Sequence, residues 1–218
     1  MPRFTFFLFL LFGCASCGLF ADSFREVSFE TADVGTVYAN LYGEGDHAVV
    51  LAHGAIFDKE SWHPLATAIV KKGLQVLAID FRGYGKSQSG SRASAKYLDL
   101  LAGMDFLSTQ GAKRVSMLGA SMGGGAAAQA AVEAKTEQLV KLILLAPARV
   151  SSPNKLQGNK LFIVSKGDGL YSSVVSAHKK ASGPKRLEIL EGDAHAQHIF
   201  KTRHGVALTE MIVDFLAE

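Results

Sequence analysis

Cysteine is scarce in this sequence. Cys14 and Cys17 are its only two cysteines among 218 residues, and both lie near the N-terminus. From Leu19 onward there is no thiol, so no disulfide staples the body, which suits an oxidising compartment. The Cys-x-x-Cys spacing lacks the strand–helix context of a redox site. Charge of one sign is scarce as well. Lys and Arg number 23 against 20 Asp and Glu, a formal net charge of +3 with no long basic run. A nucleic-acid partner therefore has no electrostatic support. Internal repeats and linker-like stretches are also missing, and 218 residues suffice for one domain with a well-buried core.

The first residues read as a leader. Arg3 and the terminal amine precede an apolar run from Phe4 to Phe12, broken by Thr5, and then small residues Gly13, Ala15, Ser16 and Gly18. That order is the one found in secretory signals. Leu11-Phe12-Gly13-Cys14 is similar to a bacterial lipobox, with Phe12 bulkier than usual, and would place lipid on Cys14. The expectation is a leader over residues 1–21 and a folded domain over 22–218. The protein would then be exported, either periplasmic or attached to a membrane through the leader or a lipidated Cys14. About 18 mostly apolar residues lie near the lower limit for an uncleaved spanning anchor.

Beyond the leader, short apolar runs alternate with helix-like stretches. Strands are expected at 24–30, 36–42, 48–52, 75–79, 114–118, 140–145, 160–164 and 186–190. Helices are expected at about 62–72, 93–109, 124–135, 171–181 and 206–216. Such alternation predicts right-handed crossovers and an α/β fold, with a mostly parallel eight-stranded sheet between helices.

One motif carries chemistry. Gly119-Ala120-Ser121-Met122-Gly123 follows an apolar strand and opens a helix, the setting in which G-x-S-x-G exposes a serine on a strained turn. Side chains two positions either side of the serine would collide with the adjoining strand and helix, so glycine is needed there. The helix N-terminus adds free N–H groups and partial positive charge. The bland alternative is a glycine-rich turn with an incidental serine.

A serine hydroxyl needs a base. His195, in Gly192-Asp193-Ala194-His195, lies in a loop between the last strand and the last helix. His198 is the runner-up, while His178 falls in a helix and His204 precedes one. The acid candidate is Asp168 in Ser165-Lys166-Gly167-Asp168, which follows a strand and would leave the same sheet edge as Ser121. It would hold the imidazole in one tautomer. Its bland reading is a turn or cap between Gly167 and Gly169, and Asp193 is the alternative acid. Two N–H donors should face the developing oxyanion. Met122 is expected to give one and Ala55 the other, with Ile56 as alternative. His53 reads as a structural loop residue. Trp62, Phe57 and Tyr84 stay open between pocket lining and packing.

Together His53-Gly54-Ala55, the stretch Asp80-Phe-Arg82-Gly83-Tyr-Gly85-Lys-Ser87, Gly119 to Gly124, Asp168 and His195 resemble the α/β-hydrolase superfamily. The resemblance covers nearly all the chain after the leader. It implies the α/β-hydrolase fold and a chiefly structural role for the D-x-R-G-x-G-x-S loop. Many members insert a helical lid after the sixth strand, but about 14 residues from Ala146 to Asn159 leave no room for a large lid domain. The resemblance implies a serine hydrolase, carboxylesterase-like, that cleaves small to medium esters, thioesters included, without metal or organic cofactor. The contrasting expectation is a non-catalytic hydrolase-like protein that binds a small ligand. A peptidase would normally bring more substrate-binding structure than this chain holds.

Overall fold

The computed structural model describes residues 23–135 and 139–218. The leader, lipid and anchor expectations concern residues outside that range. Among the described residues no helix is long and apolar enough to cross a membrane.

Eight strands form one sheet: β1 (Phe24–Glu30), β2 (Thr36–Tyr42), β3 (His47–Ala52), β4 (Gln75–Ile79), β5 (Arg114–Ala120), β6 (Leu139–Leu145), β7 (Asn159–Ser165) and β8 (Lys185–Leu190). Their spatial order is β1-β2-β4-β3-β5-β6-β7-β8. The pairs β1/β2 and β2/β4 are antiparallel, and every pair from β4/β3 to β7/β8 is parallel. This is the α/β-hydrolase fold. Every residue of β3 and β4 is buried. Their sequences, HAVVLA and QVLAI, run apolar without alternation because helices cover both faces of a parallel sheet.

The helices are α1 (His63–Val70), α2 (Tyr97–Thr109), α3 (Met122–Glu133), α4 (Tyr171–Lys180) and α5 (Gly205–Ala217). Pro64 in the first turn of α1 supplies a preset φ where no N–H partner is needed. Gly111, at φ +97°, ends the turn after α2, where a side chain would be strained. α1 packs with α5 and α2 with α3, and the two pairs form outer layers of the sandwich. Gly103 lets α2 lie close on Leu77 and Val50. Between β6 and β7 only a short 3-10 turn, Pro153–Lys155, interrupts the connection, so there is no large lid.

Several expected boundaries move by a residue or more, and two of the shifts have a visible cause. α2 begins at Tyr97 rather than near Ala93. The Arg92 N–H is taken by the Asp33 carboxylate at 2.9 Å and its carbonyl by Arg82 at 2.7 Å, which holds residues 91–96 in turns. β5 runs on to Ala120, because Gly119 and Ala120 still pair with β6. At the opposite end of the sheet His47 is buried and bonded to Ser116 Oγ at 2.8 Å. Burial, with Arg114 and Lys141 nearby, pulls its imidazole down to about 4.

Candidate active site

The parallel strands point their C-terminal ends at one rim, and the chemistry-bearing residues gather there. Ser121 sits between β5 and α3 at φ +50°, ψ −112°, a conformation worth about 1–3 kcal/mol of strain. Backbone bonds on both sides hold it. Its N–H donates to the Leu145 carbonyl at 3.0 Å, and its carbonyl accepts from Gly125 at 3.0 Å and Ala148 at 2.9 Å. A Cβ on Gly119 would lie 2.2 Å from the Gly123 carbonyl oxygen, and one on Gly123 would lie 2.3 Å from that of Ala52. No side chain fits either place, which is why the elbow needs glycine at both.

Asp168 leaves β7 and His195 leaves the loop after β8. These two loops are laced together: Lys166 N–H donates to Leu190 at 2.8 Å, Gly167 N–H to Gly192 at 2.8 Å and Ser165 Oγ to Ala194 at 2.7 Å. Within this frame Asp168 Oδ2 accepts from His195 Nδ1 at 2.7 Å, and His195 Nε2 meets Ser121 Oγ at 2.7 Å. With Nδ1–H donating to the carboxylate, Nε2 is left without hydrogen and can accept that of the serine. Asp168 Oδ1 in addition accepts the Leu170 N–H at 2.8 Å, the cap that the bland reading expects. One carboxylate serves both ends. Asp168 is buried while the His195 side chain is 40% exposed, so the imidazole is reached from solvent.

The competing candidates stand elsewhere. His198 is exposed, with its ring tilted on Phe57 at 5.2 Å. His178 packs on Phe162, and His204 lies beside Arg203. Asp193 is exposed. Trp62 is core, against Phe200. Among the described residues no group of three or more His, Cys, Asp or Glu is arranged to hold a metal ion.

The loop after β3 lies beside Ser121. A Cβ on Gly54 would be 3.6 Å from that of Ser121. The Gly54 carbonyl accepts from Phe57 N–H at 3.0 Å and from His53 Nδ1 at 2.8 Å. A trans peptide sets its N–H opposite its C=O, so these bonds turn the Ala55 N–H away from the core. That N–H has no acceptor among the described residues. Met122 opens α3, so its N–H has no helical carbonyl four residues back. Ile56 is exposed. The Tyr84 hydroxyl donates to the Ala55 carbonyl at 3.0 Å, holding the loop from its far side.

His53 is thus structural, as its place before the elbow suggests. It is fully buried, accepts Phe81 N–H at Nε2 and donates from Nδ1, and burial pushes its imidazole below the usual range. Gln197 is the residue that sequence reasoning missed. It is buried, its Oε1 accepts the Gly54 N–H at 2.7 Å and its Nε2 donates to Ser61 Oγ at 2.9 Å. It therefore ties the His195 loop to the Ala55 loop and keeps the buried Gly54 N–H satisfied. Glutamine two residues after His195 was the available signal, but nothing in the chain marks its partner.

The sheet order and the strained serine elbow define an α/β-hydrolase. Residues 43–209 match the hydrolase family described as "Serine aminopeptidase, S33" (Hydrolase_4), and the chain belongs to that family. It is 32% identical over 144 residues to a 2-hydroxy-6-oxononadienedioate/2-hydroxy-6-oxononatrienedioate hydrolase of a Pseudomonas species, covering 63% of this chain and 49% of that protein. It therefore spans about half the length of that curated relative, and less of the next two. Among solved structures, the Pyrococcus furiosus esterase Pf2001 superposes with TM-score 0.76 at 20% identity, covering 90% of this chain and 93% of that one. An esterase of Exiguobacterium antarcticum superposes with TM-score 0.75 at 17% identity, over 89% of this chain and all of the other. At such identities the likeness is one of fold.

Proposed function

We propose that this hydrolase is a serine esterase acting through Ser121, His195 and Asp168. The observation that carries the reading is the unbroken series of 2.7 Å contacts from the Asp168 carboxylate through the His195 ring to the Ser121 hydroxyl. Ser121 Oγ attacks the ester carbonyl while His195 Nε2 takes its proton. The Met122 and Ala55 N–H groups hold the oxyanion. His195 then protonates the departing alkoxide, leaving an acyl-serine. Water, deprotonated by the same nitrogen, attacks that acyl group, and Ser121 regains its hydrogen as the acid leaves. The open rim and short β6–β7 connection favour esters and thioesters of modest size. The family's description names an aminopeptidase, which must seat a free ammonium. Among the described residues, the cleft that opens beside Met122 is lined by Lys96 and Arg149 and by no carboxylate, which favours ester over aminopeptide.

A fluorophosphonate probe tests the reading directly. The protein is expected to label once, at Ser121, and the Ser121→Ala variant not at all. A folded wild-type protein that neither labels nor cleaves p-nitrophenyl esters sinks the proposal in favour of a binding role.

Gln197 extends the same reading. Gln197→Ala leaves the Gly54 N–H buried without its acceptor and frees the Ala55 loop to shift. Small misplacements of a catalytic donor cost rate rather than affinity, so kcat is expected to fall by about 10- to 100-fold with KM within about twofold. Gln197→Glu keeps the acceptor and is expected to recover part of the rate. Steady-state kinetics beside a thermal melt separate this from simple destabilisation, which would lower the melting temperature and leave kcat alone.

A further inference from the structure

Beside Met122 a cleft of about 420 Å³ opens along α3. Its floor is Gly125 and Ala126, small residues on the first turns of that helix. Its walls bring in Lys96 and Tyr97 at the start of α2, and Arg149 from the β6–β7 connection. Among the described residues Lys96 and Arg149 line it and no Asp or Glu does.

Neither cation has an acidic partner or a full set of acceptors among the described residues. Arg149 is exposed, and its guanidinium has no ion pair or hydrogen bond among the described residues. The Lys96 ammonium has three hydrogens to donate and one acceptor, the Arg82 carbonyl at 3.1 Å. It lies over the rings of Tyr84 at 5.3 Å and Phe81 at 5.8 Å. Burial and the Arg82 charge make its ammonium easier to deprotonate than usual, although Asp99 opposes them. A half-buried ammonium short of acceptors is stabilised by any anion that reaches it. Lys96 is also tied to the reaction centre, because the Tyr84 hydroxyl beneath it touches both the Ala55 carbonyl and Met122 Sδ.

We propose that this cleft seats a carboxylate at the far end of the substrate's acyl group, held between Lys96 and Arg149, so that the preferred substrates are half-esters of short dicarboxylic acids. The inference rests on the serine-esterase reading of Ser121. The acyl side follows from the position of the base. His195 must reach the leaving oxygen, so the alcohol half departs over the His195 loop. No residue of that loop lines the cleft, whereas Met122, expected to hold the carbonyl oxygen, does. The planar fork of Arg149 suits a carboxylate better than a point charge would.

The test compares two 4-nitrophenyl esters of glutaric acid, one with its second carboxyl free and one with it methylated. Wild-type kcat/KM is expected to favour the free acid by about tenfold at low salt, the size of one charge-assisted contact at a partly exposed site. Arg149→Ala and Lys96→Ala are each expected to reduce that ratio several-fold, with Arg149→Lys intermediate, and salt is expected to erode it. A wild-type ratio near one, or a ratio untouched by both substitutions, overturns the proposal. Calorimetry of free glutarate with the Ser121→Ala protein reads the cleft alone. Binding that Arg149→Ala weakens supports the cleft even if no ester turns over, an outcome that would count against the esterase reading only. Absence of binding to Ser121→Ala together with normal turnover of the methylated ester would count against the cleft only.

Discussion

Alanine in place of His195 is expected to lower kcat on a p-nitrophenyl ester by about 10⁴-fold or more, with the melting temperature moved by no more than a few degrees. The size follows from what the imidazole does. Without it the Ser121 hydroxyl must lose its proton to bulk water, and the water that later attacks the acyl-serine has no base either. A factor of 10⁴ corresponds to about 5.5 kcal/mol of barrier, more than any one hydrogen bond elsewhere in the site contributes. Stability should change little because the ring is 40% exposed and covers little of the core. Asp168→Asn probes the same relay from its other end. An amide can present N–H to the ring, turning the imidazole so that Nε2 carries the hydrogen and cannot accept one from Ser121. A loss of similar order is expected. The Leu170 cap survives wherever the amide oxygen keeps the Oδ1 place. Steady-state rates beside thermal melts decide the matter. Retention of more than a tenth of the wild-type kcat by His195→Ala would remove the imidazole from the mechanism.

The elbow was legible because its demands are local. A Cβ at Gly119 or Gly123 meets backbone within the same strand–turn–helix unit or the adjoining strand, so the glycine spacing itself carries the information. Asp168 and His195 were legible through chain order: each follows a strand whose end lies on the rim with Ser121. The supporting contacts were not legible. Gln197 and Gly54 are 143 residues apart, and the buried Arg82–Asp33 pair spans 49. Such pairs obey no period and no spacing rule. They arise when loops from opposite parts of the chain share one buried volume, where each polar group must find whatever partner is in reach. The helix start expected near Ala93 slipped to Tyr97 for this reason, because Asp33 and Arg82 take the Arg92 backbone from the helix.

That buried network has a large expected effect of its own. Arg82 is 1% exposed, as are few arginines, and it lies between Asp33 and Asp99, both buried. Its guanidinium reaches Asp33 at 2.9 and 3.1 Å and Asp99 at 2.8 and 2.7 Å. Its backbone N–H donates to Asp99 Oδ2 at 2.9 Å. The two carboxylates respond differently. Hydrogen bonds from Arg82 and Thr31 hold the Asp33 carboxyl far below its ordinary range. Burial pushes Asp99 up in spite of the same arginine. Arg82→Met keeps the side-chain volume and strands both acids in the interior. It is expected to cost about 3–5 kcal/mol, because removing one partner leaves uncompensated buried charge. The pH dependence has a definite sign. In the wild type the depressed Asp33 stabilises the fold above the ordinary carboxylate range, and that stability is lost as pH falls through its lowered value. In the variant both carboxyls resist ionisation, so its stability falls as pH rises through about 4 and beyond. The gap between the two proteins should therefore widen between about pH 4.5 and about pH 7 in urea titrations. Adding Asp33→Asn and Asp99→Asn should close part of it, since the amide oxygens still accept from Arg92 and from residue 82. A gap under about 1 kcal/mol, or one indifferent to pH, would show that the acids find water or other partners when the arginine goes. The network matters to the site as well as to the fold. Arg82 anchors the loop that carries Tyr84 to the Ala55 carbonyl, so loosening it should release the Ala55 N–H before the sheet itself gives way.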